Sequence, residues 1–146
     1  MRRGGSSVPT AGGRGRGTLR SVDESLYTLA GGERQLHRLA EAFYERVLVD
    51  PLLRPLFRDP AEDHAERLTL WLSELLGGPA LHTEARGGFA VMAAAHHRLG
   101  ITEEQRQRWV DHMRAACAEV GLSDEFMRRF RPYLDGGSTF ALRVSH

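Results

Sequence analysis

From Asp23 onward the apolar residues recur at spacings of three and four, and no stretch alternates with period two for long enough to form a strand. The pattern predicts an all-helical body. A short helix near 23–30 ends at Gly31-Gly32, and a second over about 33–49 places Leu36, Leu39, Ala40, Phe43 and Val47 on one face. That helix should stop before Asp50-Pro51, because the proline ring pushes the preceding residue out of the helical region. A proline-rich corner, DPLLRPLFRDP, follows. The next helix is expected to start near Pro60 and to end at Gly77-Gly78-Pro79, with His64, Leu68, Trp71, Leu72 and Leu75 as its apolar stripe.

A looser stretch containing Gly87-Gly88 leads into a helix expected near 89–99. Thr102 and Gln105 have the spacing of a capping box, and the helix they open carries Trp109, Met113, Ala116 and Val120 before Gly121. Ser123 caps the last predicted helix, with Phe126, Phe130, Tyr133, Leu134 and Ala141 turned inward.

Residues 1–22 break this pattern. They are rich in Gly, Ser and Arg, cannot bury enough surface to offset chain entropy, and are expected to be a disordered tail before a single domain over 23–146. The tail holds Arg2, Arg3, Arg14, Arg16 and Arg20 and no acid, so the near-neutral total of 20 bases and 19 acids hides a mildly acidic body. Every base is Arg and none is Lys, a sign of coding bias more than of a phosphate-tracking surface, and no nucleic-acid partner is expected. The lone Cys117 rules out an internal disulfide and fits a reducing compartment. With neither a secretory apolar segment nor a membrane span in the sequence, the expected location is cytoplasmic and no membrane partner is expected.

The chemistry concentrates in histidines and aromatic donors. His96 lies seven residues after Phe89, four after Met92 and three before Leu99, so it shares their face, while His97 is rotated from it by about 100°. Taken by itself, this helix accommodates a satisfied core histidine and a metal ligand equally well. Adjacent helical histidines cannot chelate one ion from one face, and clustered Cys/His spacing is missing from the sequence, which argues against zinc. His64 begins a second apolar stripe, and Tyr44 and Trp109 each carry a donor that needs a partner if buried. One imidazole to bind iron, another on the opposite wall and aromatic donors between them make a haem pocket.

The stretch 27–142 resembles the truncated haemoglobins, most closely their group II branch. The resemblance runs through YTLAGGE (27–33), FYERV (43–47), DPLLRPLF (50–57), ERLTLWLSELLGGP (66–79), TEARGG (83–88), the His96 to Ile101 segment and RWVDHMRAA (108–116). It implies a globin-like two-over-two helical sandwich with a small first helix and a largely extended loop before the proximal helix. Carried over by position, it makes His96 the iron ligand, Tyr44, His64 and Trp109 the distal residues, and Phe57, Leu68 and Arg67 neighbours of the porphyrin. Met92 and Leu99 join them from the face of His96. The chain departs from the family at Ala95 and His82, where Arg and Tyr are common, leaving Arg67, Arg86 and Arg98 as candidates for the haem carboxylates.

The implied cofactor is haem b. The implied function is reversible binding of O2, NO and CO at a pentacoordinate iron beneath polar donors, by a monomer or homodimer. The alternative is a haem-dependent redox enzyme, an NO dioxygenase or peroxidase-like, served by an external reductase. Donors aimed at an oxygen ligand hold it by roughly 0.5–1.5 kcal/mol each. Three of them make release slow, which suits a sensor, scavenger or redox enzyme better than a carrier.

Overall fold

The computed structural model describes residues 24–57, 63–87 and 89–146, with Phe89–Met92 described by backbone alone. The tail and the predicted helix start near Pro60 lie outside these residues. The described residues are helical and turn-forming, without strands.

Helix α1 spans Leu26–Ala30 and α2 spans Gly32–Val47. Ser25 caps α1 by accepting from the Thr28 N–H at 3.1 Å. Gly31 ends α1 and opens α2 at φ 106°, a left-handed conformation in which a Cβ is strained. The corner is then locked by Tyr27. Its N–H donates to the Leu76 carbonyl at 2.8 Å, its hydroxyl accepts from Glu33 N–H at 3.1 Å, and its ring lies where a Cβ on Gly78 would stand. The corners at Gly31-Gly32 and Gly77-Gly78 are therefore the two sides of one contact.

All five residues expected on the inner face of α2 are buried. A 3₁₀ turn at Arg54–Leu56 follows, then α3 at His64–Leu75, whose N-cap Asp63 accepts from Glu66 N–H at 3.0 Å. The face of α3 sunk deepest is Thr69, Leu72 and Ser73, while His64, Leu68, Trp71 and Leu75 are only half-buried. Of the apolar stripe read from the sequence, Leu72 is in the core, and His64, Leu68, Trp71 and Leu75 border it.

Two expectations need correction between Gly77 and Ile101. The segment expected to be loose or extended contains helix α4, Leu81–Arg86. It has no apolar periodicity of its own; Glu74 of α3 accepts from both the N–H and the hydroxyl of Thr83 and anchors its first turn. Helix α5, Phe89–His96, ends earlier than residue 99. Arg98 takes φ 69° and Gly100 φ 65°, so the chain turns directly after His96 and Leu99 lies outside the helix.

Helix α6 is Glu103–Glu119 and carries the capping box at Thr102 and Gln105, with both reciprocal bonds made at 3.1 and 2.9 Å. Helix α7 is Asp124–Val144, capped by Ser123. Phe126, Phe130, Leu134 and Ser138 follow one another at intervals of four and are buried. Tyr133, expected to point inward, is 45% exposed because it falls off that row.

The architecture is the two-over-two sandwich: α2 pairs with α3, α6 pairs with α7, and α2 lies across α6, while α1 touches α2 and α7. Leu36, Leu39, Phe43, Met113, Phe126 and Phe130 fill the centre of the core. Among the described residues, no helix is long and apolar enough to cross a membrane.

Candidate functional site

Tyr44 stands one position past the core residue Phe43, so its ring leaves the packed interior at the C-terminal end of α2. There it meets two aromatic partners delivered by the next elements. The Tyr44 centroid is 5.4 Å from Phe57, at the end of the proline-rich corner, and 5.5 Å from His64, the first residue of α3. Phe57 and His64 are themselves 5.4 Å apart and nearly perpendicular. Trp109 of α6 joins through Phe43, with ring centroids 5.2 Å apart. Sequence reasoning placed Tyr44, Phe57, His64 and Trp109 in one site, and the fold brings them into one cluster.

All four side chains are half-buried. Leu68 lies one turn along α3 from His64 and packs against the same core. His64 Nε2 is buried and has no hydrogen-bond partner among the described residues. A buried nitrogen left this way costs about 1–3 kcal/mol, so it marks either strain or a place for an absent polar group.

His96 is the last residue of α5, which packs against α7 in the other layer. It is half-buried, whereas His97 is exposed, so the two candidates are separated by burial. Arg67, on α3 one turn from His64, is half-buried too. Leu99 is half-buried in the turn that follows His96. The side chain of Met92 lies outside the described residues.

Two features escaped the sequence reading. His82, noted there only as a departure from the family, is 3% exposed, packs edge-on against Trp71 at 5.1 Å, and has a buried Nδ1 without a partner. Burial lowers its pKa; the attraction of Glu74 opposes that, and the charges of Arg86 and Arg67 add to the lowering. It is therefore a neutral imidazole near neutral pH. No periodic signal could have found it, since α4 has none.

The second feature is Asp50, 6% exposed at the start of the corner. Its carboxylate accepts from Arg108 Nη1 at 2.9 Å, His112 Nε2 at 2.7 Å and Leu52 N–H at 2.9 Å. Burial opposes its charge, but the bonds from His112, Leu52 and Arg108 outweigh burial and hold its pKa below the ordinary aspartate range. Asp-Pro reads locally as a turn, and the partners lie too far along the chain for spacing to reveal them. An open groove of about 610 Å³ between α6 and α7, bordered by Asp111, Arg114, Met127 and Arg128, involves none of the candidate residues.

Residues 25–135 match the family described as Bacterial-like globin. The chain is 38% identical over 94 residues to the group 2 truncated hemoglobin YjbI of Bacillus subtilis, covering 64% of this chain and 70% of that protein. Its fold is similar to the crystal structure of the group II truncated hemoglobin of Bacillus anthracis, with a TM-score of 0.75 and 26% identity over 81% of this chain and 90% of that one. It is also similar to the truncated oxygen-avid haemoglobin of Bacillus subtilis, with a TM-score of 0.72 and 32% identity over 84% of this chain and 100% of that one.

Proposed function

This chain belongs to the bacterial-like globin family, among truncated haemoglobins of the group II kind, and from that premise we propose that it binds O2, NO and CO at a five-coordinate haem b iron beneath a polar distal wall. Membership makes it a haem globin for diatomic ligands. The observation that carries the finer reading is the buried Nε2 of His64, unpartnered among the described residues and set beside the Tyr44 and Phe57 rings. Buried polar atoms are nearly always hydrogen-bonded, so its position in this aromatic cluster supports a polar group coming to it.

The residues fit the cofactor. Haem iron, when bound, supplies the coordination position at which a diatomic ligand is held. His96 would be the metal ligand in this reading, as the half-buried member of its histidine pair, and its second ring nitrogen would be oriented by a hydrogen bond to a backbone carbonyl. Phe57, Leu68, Met92 and Leu99 supply apolar contact to the macrocycle. Arg67 meets a propionate, and residues 23–146 form the complete binding unit without help from residues 1–22. In this reading the protein works as a monomer or homodimer, and an external reductase is needed only if it turns over as a redox enzyme.

On the distal side the residues act through charge. Negative charge on a bound ligand would be stabilised by fixed donors, and the ring contacts Tyr44–His64 and Phe43–Trp109 support Tyr44 O–H, Trp109 Nε1–H and His64 Nε2–H as those donors. Each contributes roughly 0.5–1.5 kcal/mol, and each 1.4 kcal/mol slows release about tenfold. Tyr44→Phe deletes one donor while keeping the ring contacts with Phe57 and His64. Oxygen release measured by stopped flow should then accelerate several-fold; a rate equal to that of the unaltered protein removes Tyr44 from the donor set.

A further inference from the structure

Three side chains on one face of α6, Gln105, Arg108 and His112, grip the start of the corner between α2 and α3. Gln105 Nε2 donates to the Leu52 carbonyl at 3.0 Å, while Arg108 and His112, one turn apart, converge on Oδ2 of Asp50. A carboxylate only accepts, so His112 donates through Nε2 and its tautomer is fixed. Oδ1 of the same carboxylate holds the Leu52 N–H, which makes Asp50 the knot of the turn as well as of the crossing.

This knot lies between the elements that carry the distal residues. Tyr44 is on the last turn of α2 just before Asp50, Phe57 closes the corner that Asp50 begins, and Trp109 is the neighbour of Arg108 on α6. Only the Asp50 side of this knot is buried, Arg108 being exposed and His112 partly so, and desolvation of the carboxylate offsets much of the attraction, which makes it a poor way to gain stability. The best-attested use of such a pair is to fix register, since only one alignment of the two elements satisfies all the bonds.

We propose that Asp50 is the positioning residue of the distal pocket: through Arg108 and His112 it sets the register of α6 against α2, and so the place of Trp109 relative to Tyr44. This rests on the reading of Tyr44 and Trp109 as ligand donors. Asp50 touches neither haem nor ligand in this role. It acts by holding the elements that do.

The test uses Asp50→Asn in the full-length haem protein, with His112→Gln as the milder variant should the first fold poorly. The C–O stretch of the ferrous CO complex reports the donors facing the ligand, and Tyr44→Phe and Trp109→Phe calibrate it. Asp50→Asn is expected to shift the stretch upward in the same direction as Trp109→Phe and to accelerate oxygen release at least threefold. A lowered melting temperature with the stretch and release rate unchanged reduces Asp50 to a structural role and overturns the inference. The apoprotein supplies a second readout: the Trp109 indole N–H resonance should move in Asp50→Asn while that of Trp71 stays in place. If the calibrating variants leave the stretch unmoved, the donor reading fails, and the indole resonance decides on Asp50. A Trp109 signal that does not move overturns the inference in that case too.

Discussion

His64 sits in the first turn of α3 with a buried nitrogen that no group among the described residues satisfies, and such a nitrogen costs the apoprotein stability. Replacing it with an apolar side chain of similar reach removes the cost and the donor together. His64→Leu should raise the unfolding free energy of the apoprotein by about 1 kcal/mol while speeding oxygen release in the haem protein. Loss of stability in the apoprotein would show that the imidazole is a satisfied structural group. Part of this scale was legible from the chain: the spacing of His96 from Phe89 and Met92 favoured His96 over His97, and His96 is the more buried of the two, although Leu99 does not continue that helical face. His82 and Asp50 were not legible as buried groups, because their burial comes from partners on other elements. Cys117 is the opposite case, a lone thiol that burial pushes up to about 12 and so leaves unreactive.

At the scale of elements, caps and apolar rows proved readable wherever the information is local. The Thr102–Gln105 box, the Ser123 cap and the buried face of α2 need only neighbouring residues, and all three are formed. Helix α4 and the early end of α5 depend on contacts from afar, as does the clamp that closes the molecule. Ser145, 1% exposed at the end of α7, accepts from Ile101 N–H through its hydroxyl at 2.9 Å and from Gly100 N–H through its carbonyl at 3.0 Å. His146 Nε2 adds a bond to the Ile101 carbonyl at 2.8 Å. These bonds fix the turn that follows His96. Ser145→Ala leaves a buried N–H without an acceptor and should cost about 1–3 kcal/mol in urea unfolding. A change within experimental error would mean that the turn is held by its backbone bond alone.

Across the whole molecule, the sandwich followed from periodicity because each helix buries one stripe, and the pairing of the stripes leaves few ways to pack them. Its response to acid follows from two kinds of lowered pKa. His82 is buried neutral, so above its unfolded value of about 6.5 it carries no penalty, and stability declines as pH falls below that value because the unfolded chain takes up the proton first. Asp50, whose pKa is held down in the fold, contributes stability above the ordinary aspartate range of about 3.9 and loses it as pH drops through its folded value. Thermal midpoints should fall in two stages on acidification, and His82→Phe should remove the upper stage while leaving the lower one. A single transition near pH 4 in the unaltered protein would contradict the burial of His82 as a neutral group.

The central claim is one coordinate bond, from His96 to haem iron, and the absorption spectrum of the purified protein titrated with hemin tests it most directly. The expected result is a stoichiometric Soret band, with a reduced form lacking the split bands of a six-coordinate iron, and loss of that band's affinity in His96→Ala. A protein that stays colourless with hemin present, or an unchanged Soret band in His96→Ala, would contradict it.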